Sequence, residues 1–360
     1  MTKARKTNLF FLGLLVFYLL VCNFILPLIP NRYLNVNSLG VLSQTLILFP
    51  GMIYAFSDHG RVLNQIRVKR LGIGNIFLIM VFALLLVPLM AFVNSFSMLF
   101  AKNHMATHLN SMTSNPFWLN LLLIAVLPAF VEEFTFRGII YTGYRNSTMK
   151  RAILASAVIF GTFHMNVNQF CYAAVMGVFF SLLYEATGSI FASMTAHFTL
   201  NANTLVLQAI ADAATKYIRT KAESDPDYEK LAEELTNSET QTTIADYSLA
   251  EKIATLRSLL VIAAVTTTLA ILLLIFISKR FHRKEHFSRV LSSLTGNDRN
   301  QNLNNGYENI SIHMQNNEKN NGVNNGYNHQ MGYNGSPEYG GKIVDAVFVT
   351  GIVLCIFCML

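Results

Sequence analysis

Charged residues are scarce in this chain of 360 residues: Asp, Glu, Lys and Arg make up 13%, against 52% hydrophobic residues. Soluble domains carry roughly a quarter charged residues, so the composition points away from a water-soluble globular protein. Cysteine is also rare. Cys22, Cys171, Cys355 and Cys358 all lie in apolar segments, with neither metal-ligand spacing nor a disulfide framework, and they read as inert packing or lipid-facing residues. Two catalytic signatures are missing from the sequence. Without H-E-x-x-H there is no zincin helix, and without G-x-S-x-G nothing proposes a serine nucleophile.

Long apolar runs are what the chain has. They fall at about 9–29, 39–56, 73–100, 117–136, 152–165, 169–185, 189–211 and 258–278, and most approach the ~20 residues that a bilayer-spanning helix needs. The expected fold is all-α, a polytopic membrane bundle of about eight transmembrane helices. The first run follows Lys3, Arg5 and Lys6 but outlasts a signal-peptide core and lacks a small-x-small cleavage site,. It reads as a retained anchor.

Basic residues near membrane helices collect on the cytoplasmic side. The N-terminus, the stretch with Arg61, Arg67, Lys69 and Arg70, the stretch with Arg145, Lys150 and Arg151, and "SKRFHRKEHFSR" are basic, whereas the 30–38 and 101–116 loops hold only Arg32 and Lys102. A cytosolic N-terminus puts every basic cluster inside, in a plasma membrane if the chain is bacterial.

The expected organisation is N-terminal membrane helices over 1–100, a core over 115–211, an acidic extracytosolic insertion over 212–256, a further span over 257–280, a disordered Asn- and Gly-rich tail over 281–342 and an apolar segment over 343–360. The insertion holds ten acids against five bases, and "DPDYEKLAEELTNSE" within it reads as a short solvated helix. The tail repeats "NNGY" at 304 and 324 and has too few apolar residues to offset chain entropy. The last segment is either a ninth span or a tail anchor.

Against this background a few polar residues inside apolar runs stand out, because a charge at the centre of a bilayer helix costs about 2.5 to 3.5 kcal/mol on insertion scales. "EEFTFR" places Glu133 and Arg137 four apart, so they share a helix face and can pair. Glu132 points elsewhere and stays available. "FGTFH" and "HFTLN" set Phe160 with His164, and His197 with Asn201, at the same spacing on two further spans. Lone membrane histidines usually serve helix packing; two of them at the depth of paired carboxylates suggest one cavity. "MNVNQ" after His164 puts Asn166, Asn168 and Gln169 at membrane depth, which is tolerated where polar backbone lines water.

A carboxylate and an imidazole beside water suit hydrolysis: Glu132 and His164 would activate water, and His197 and Asn201 would donate to an oxyanion. The same residues leave a divalent metal such as zinc open, held by Glu132, His164 and His197. A proton-coupled transporter is the physical alternative, but no matching pair of broken helices marks two repeats.

In order, these three motifs resemble the E-E-x-x-x-R, F-x-x-x-H and H-x-x-x-N motifs of the CAAX prenyl endopeptidase and bacteriocin-processing family, also called the type II CAAX protease or Abi family. The resemblance spans about residues 115 to 211. It implies an all-helical membrane endopeptidase whose site opens to the cytosol. Glu132 and His164 would activate water and His197 and Asn201 would hold the oxyanion, with Glu133, Arg137 and Phe160 in support. Either a metal-dependent or a metal-free glutamate mechanism fits that family. The implied partners are the lipid bilayer and a peptide or lipidated protein substrate, with no nucleic acid. A non-enzymatic self-immunity or scaffold protein is the alternative.

Overall fold

A computed structural model describes residues 1–57, 62–101, 115–145, 147–225, 228–233, 248–296 and 342–359. Every regular element among them is helical. They are α1 Lys3–Leu20, α2 Val36–Ser57, α3 Ile73–Leu85, α4 Val87–Ser97, α5 Phe117–Tyr144, α6 Met149–Thr162, α7 Val167–Thr187, α8 Ile190–Ala222, α9 Leu249–Arg280, α10 Lys284–Thr295 and α11 Ala346–Met359.

By length and composition, six of the described segments can cross a bilayer: Lys3–Leu28, Val36–Ser57, Ile73–Ser97, Phe117–Tyr144, Val167–Thr187 and Leu249–Arg280. The lipid-facing character of the bundle shows in its exposed large apolar side chains, among them Phe24, Phe49, Phe77 and Leu272. This is an integral membrane protein. Two further helices from the expected eight sit between these spans without meeting the same standard. At 14 residues α6 is too short. The 33-residue α8 is long enough but carries His197, Asn201 and Asn203 where lipid would demand carbon. Most of α6 and the first part of α8, up to Leu200, are buried among neighbours, whereas α8 from Thr204 on is largely exposed.

The centre of the bundle is α5, α6, α7 and α8, with α1 and α2 packed along one flank of α5 and α3, α4 and α9 along the far side of α7 and α8. The α6–α7 hairpin is the tightest contact. A Cβ on Gly177 would lie 2.9 Å from Ala157 Cα, and one on Gly161 2.9 Å from the Phe170 carbonyl. Small residues of this kind let membrane helices approach backbone to backbone. The hairpin reverses at Met165, which has φ 49°, so α6 ends at membrane depth and leaves His164 on a turn.

The polar run after His164 is largely consumed locally. Asn166 caps α7 by accepting from Gln169 N at 2.9 Å, and Asn168 Nδ2 donates to Asn94 Oδ1 at 3.0 Å and Ser97 Oγ at 2.7 Å. The expected wet lining is therefore corrected: Asn166 and Asn168 serve a cap and a tie to α4, because a buried amide finds partners on the nearest helix.

The distal segments also differ in part from the compositional reading. Residues 284–295, placed in the tail, form α10, which buries Phe287 and Val290; those apolar residues at helical spacing give it a face to dock. Residues 297–341, the rest of the expected disordered tail, lie outside the described residues. In the acidic insertion α8 continues to Ala222, and residues 228–233 are helical as expected, while 234–247 are outside the description. The apolar end forms α11 against α1 and α6. A buried relay fixes its start: Tyr144 Oη donates to Asn8 Oδ1 at 2.5 Å, and Asn8 Nδ2 donates to the Ile343 carbonyl at 2.8 Å and Asp345 Oδ1 at 2.9 Å. All four cysteines are free: Cys355 is buried, Cys358 exposed and the other two half-buried.

Because Gly177 abuts backbone, Gly177→Ala forces α6 and α7 apart and should destabilise the protein by about 1 to 3 kcal/mol. Gly13, with nothing within 4 Å of its Cβ position, provides the control. Thermal unfolding in detergent should show a lowered midpoint for Gly177→Ala and none for Gly13→Ala; equal midpoints would refute the close-packing account.

Candidate active site

Helix α5 presents the carboxylates, and its backbone is irregular for identifiable reasons. Residues Leu121–Val126 and Glu133–Tyr141 are π-helical, a widened winding that occurs mostly as short bulges, often at functional sites. Between them stands Pro128, which has no N–H to offer the carbonyl of Ile124 four residues back. Asn201 Nδ2 donates to that carbonyl at 2.9 Å. The break in α5 thus orients the amide of Asn201 from α8 and leaves its second N–H for another acceptor.

Glu133 is fully buried, and its Oε1 accepts from Arg137 Nη1 at 2.9 Å and interacts with His197 Nδ1 at 3.0 Å. The pairing expected from the sequence survives the π winding. Arg137, 1% exposed, lies with its guanidinium carbon 4.2 Å from the Phe160 ring centroid and 5.1 Å from that of Phe180. Cation–π attraction of about 2 kcal/mol for desolvated pairs offsets part of the burial cost. His197 stacks on Phe180 with centroids 5.1 Å apart. With Nδ1 committed to a carboxylate, its N–H must point there, and the ring shows its other nitrogen to Glu132.

Glu132 sits 4.0 Å from that Nε2 through Oε2, while its Oε1 accepts from Gln44 Nε2 at 3.1 Å. A carboxylate only accepts, so the amide nitrogen of Gln44 must face it. His164 joins through Phe160: its ring lies edge-on 5.1 Å from Phe160, which also lies 6.0 Å from His197, and its Nδ1 lies 2.9 Å from the Phe160 carbonyl. No hydrogen bond joins His164 to Glu132 directly among those present. His164 is half-buried, whereas Glu132 and His197 are buried.

The structure therefore joins Glu132, Glu133, Arg137, Phe160 and His197 in one contact network, with His164 linked to it through Phe160 and Asn201 one turn from His197 on α8. Gln44 Oε1, Glu133 Oε2, Thr135 Oγ1 and Arg137 Nε and Nη2 are buried without a protein partner. Buried polar atoms of this kind usually bind water. Among the described residues, no three His, Cys, Asp or Glu side chains come together as a metal site. The suggested set of Glu132, His164 and His197 is not gathered within metal-binding reach, although Nδ1 of each histidine is tied to an oxygen, which leaves Nε2 as the side a metal would use,.

Two contributors escaped the sequence reading. Gln44 lies far away in the chain and was visible only as one amide in the apolar run "LSQTLILFPG". Phe180 is one of 27 phenylalanines, and nothing in the sequence separates it from lipid-facing ones.

Comparison with known proteins adds a match on this same stretch, while no curated protein and no solved structure matches the chain. Residues 114–203, which run from the start of α5 into α8 and hold every one of these residues except Gln44, match the family described as type II CAAX prenyl endopeptidase Rce1-like.

Proposed function

We propose that this protein is an intramembrane endopeptidase that hydrolyses a peptide bond near the C-terminus of a lipidated protein or a bacteriocin-type peptide, using water activated by Glu132 and His164. The observation that carries the reading is the division of labour between adjacent carboxylates: Glu133 is held by Arg137 and His197, and Glu132 is left to one amide and a distant imidazole. The family match on residues 114–203 supports the coarse activity, a membrane protease of the CAAX type.

In the reaction, Glu132 accepts a proton from water as the water oxygen bonds to the scissile carbonyl carbon. His164, half-buried, orients that water from the side of the α6–α7 turn. The negative charge that develops on the carbonyl oxygen is met by the free N–H of Asn201; His197 adds a donor there only with both ring nitrogens protonated, because its Nδ1–H is held by Glu133,. The C–N bond then breaks as the proton passes from Glu132 to the leaving nitrogen, giving a carboxylate and an amine. No step passes through a metal.

A groove of about 580 Å³ between α2 and α5 has an apolar stretch at Val41, Leu42, Leu119 and Leu123, where an isoprenoid or acyl chain would lie, and a polar end at Asn35, Asn37 and Ser38. The basic end of the bundle, with Lys3 near Gln65 and with Arg145 and Arg280, faces the cytosol in this reading,. The acidic residues after α8 then lie on the other side.

Purified protein incubated with prenylated C-a-a-X peptides and followed by mass spectrometry should release the terminal residues. Glu132→Gln and His164→Ala should each lower the rate by about 10²- to 10⁴-fold, the usual contribution of a positioned acid–base group. Undiminished cleavage by either variant would sink the mechanism, and folded wild type inert on all peptides would favour a non-enzymatic role.

Gln44→Leu removes the donor that holds Glu132 and should lower kcat with little change in KM. Arg137→Ala acts differently: it strands Glu133 without its guanidinium, and losing one partner of a buried pair costs about 3 to 5 kcal/mol. Its signature is loss of folded protein on gel filtration; a folded, stable Arg137→Ala would contradict the pairing argument.

A further inference from the structure

At the basic end of the bundle, well away from the candidate catalytic residues, one carboxylate gathers an unusual number of cations. Glu185, two residues from the end of α7, is fully buried. Its Oε1 lies 2.7 Å from Arg145 Nε and accepts from Tyr141 Oη at 3.1 Å. Its Oε2 takes Arg67 Nη1 at 3.0 Å and Arg283 Nη2 at 3.5 Å, and lies 2.6 Å from His286 Nε2. Arg283 Nε also donates to the Glu185 carbonyl at 2.8 Å. The four basic side chains come from the loop before α3, the end of α5, the residue before α10 and α10 itself.

Arg67 and Arg145 alone set two guanidinium charges against the one carboxylate, an excess of +1 before Arg283 is counted and with His286 neutral. Glu185 engages one nitrogen of Arg67 and one of Arg145, and each guanidinium carries five N–H donors. Both oxygens of Glu185 are already crowded, so it cannot take the remainder. The carboxylate is sealed, whereas the Arg67, Arg145, Arg283 and His286 side chains are 26, 16, 24 and 20% exposed. The charge left over therefore faces outward. It does so where helices end, and among the described residues no second carboxylate pairs with Arg67 or Arg145.

We propose that Arg67, Arg145, Arg283 and His286 form a binding site for a phosphate-bearing anion at the membrane surface, with Glu185 as the pin that holds them in a cluster. A phosphate group matches the chemistry because guanidinium forks engage its oxygens in pairs. The position at the end of the spans makes a phospholipid headgroup the natural source, since basic pockets between membrane helices take such groups. Binding there would clamp α10 and the loop before α3 to the end of α5, the helix that carries Glu132. The site stands on its own geometry and does not rest on the proposed peptidase activity.

Native mass spectrometry of the full chain released from detergent containing phosphatidylglycerol or phosphatidylcholine tests this directly, with inorganic phosphate as a separate arm. Retention of phosphatidylglycerol should exceed that of phosphatidylcholine by about thirtyfold, the order that two basic side chains supply near an anionic surface. The preference should collapse in Arg67→Gln/Arg145→Gln. Competition by millimolar inorganic phosphate alone, without lipid preference, would identify a soluble anion as the source.

If the double variant does not fold, hydrogen exchange on wild type decides: the anion should slow exchange at residues 63–70 and 283–290. Equal retention of both lipids with no effect of phosphate, or a preference unchanged in the folded double variant, would overturn the proposal. So would exchange at those two segments that ignores the anion.

Discussion

The arrangement depends on a single oxygen. Glu133 Oε1 joins Arg137 of its own helix to His197 of α8, and it does so where both groups are shut off from bulk solvent. Isolated, either ion would cost several kcal/mol to bury; together, with Phe160 and Phe180 against the guanidinium, they form a unit that cannot be dismantled piecemeal. That unit sets the distance between α5 and α8 and turns the His197 ring edge toward Glu132. The carboxylate that is free to do chemistry is free because its neighbour is not.

A regular α-helix would serve this arrangement less well. Pro128 takes a donor away from the Ile124 carbonyl, and the flanking π turns widen α5 around its carboxylates. Each irregularity leaves backbone capacity that an adjacent helix can use, and Asn201 uses it. The cost of an imperfect helix is met inside the protein, which is the only place in a bilayer where unpaired backbone is tolerated. The short α6 follows the same rule: it stops at membrane depth on a turn packed against α7 and α1, where Tyr18 meets Phe163 edge-on at 5.5 Å.

Legibility in the sequence followed the cost of each residue. Glu132, Glu133, Arg137, His164 and His197 could be read because charge and imidazole in an apolar run are expensive and need a reason. Their spacing correctly gave the Glu133–Arg137 pair. Gln44 was harder, since one amide in a span is cheap and could as well pack silently, and Phe180 carried no signal at all. The same logic explains the misread polar turn. Asn166 and Asn168 were visible as polar, but whether an amide meets water or another helix depends on what packs beside it, and α4 lies more than 60 residues earlier. For α10 the Asn-rich composition that follows it masked two apolar residues at helical spacing, Phe287 and Val290.

Charge is distributed unevenly along the bundle, and the middle of α5 differs in sign from its C-terminal end. Around Glu132 and Glu133 two carboxylates face one guanidinium; around Glu185 three guanidinium groups face one carboxylate. The two clusters stand on the order of 15 to 20 Å apart, counting along α5 from Glu133 to Arg145. In a low-dielectric interior such an alternation is felt over its full length. For a peptidase the consequence is directional. Under the peptidase activity proposed above, a substrate bearing a C-terminal carboxylate would be drawn toward the positive end, whereas the new carboxylate made by hydrolysis would appear beside Glu132, where like charge disfavours its staying. Binding and release would thus be driven by the same field acting on two carboxylates, one present before the bond breaks and one created by it.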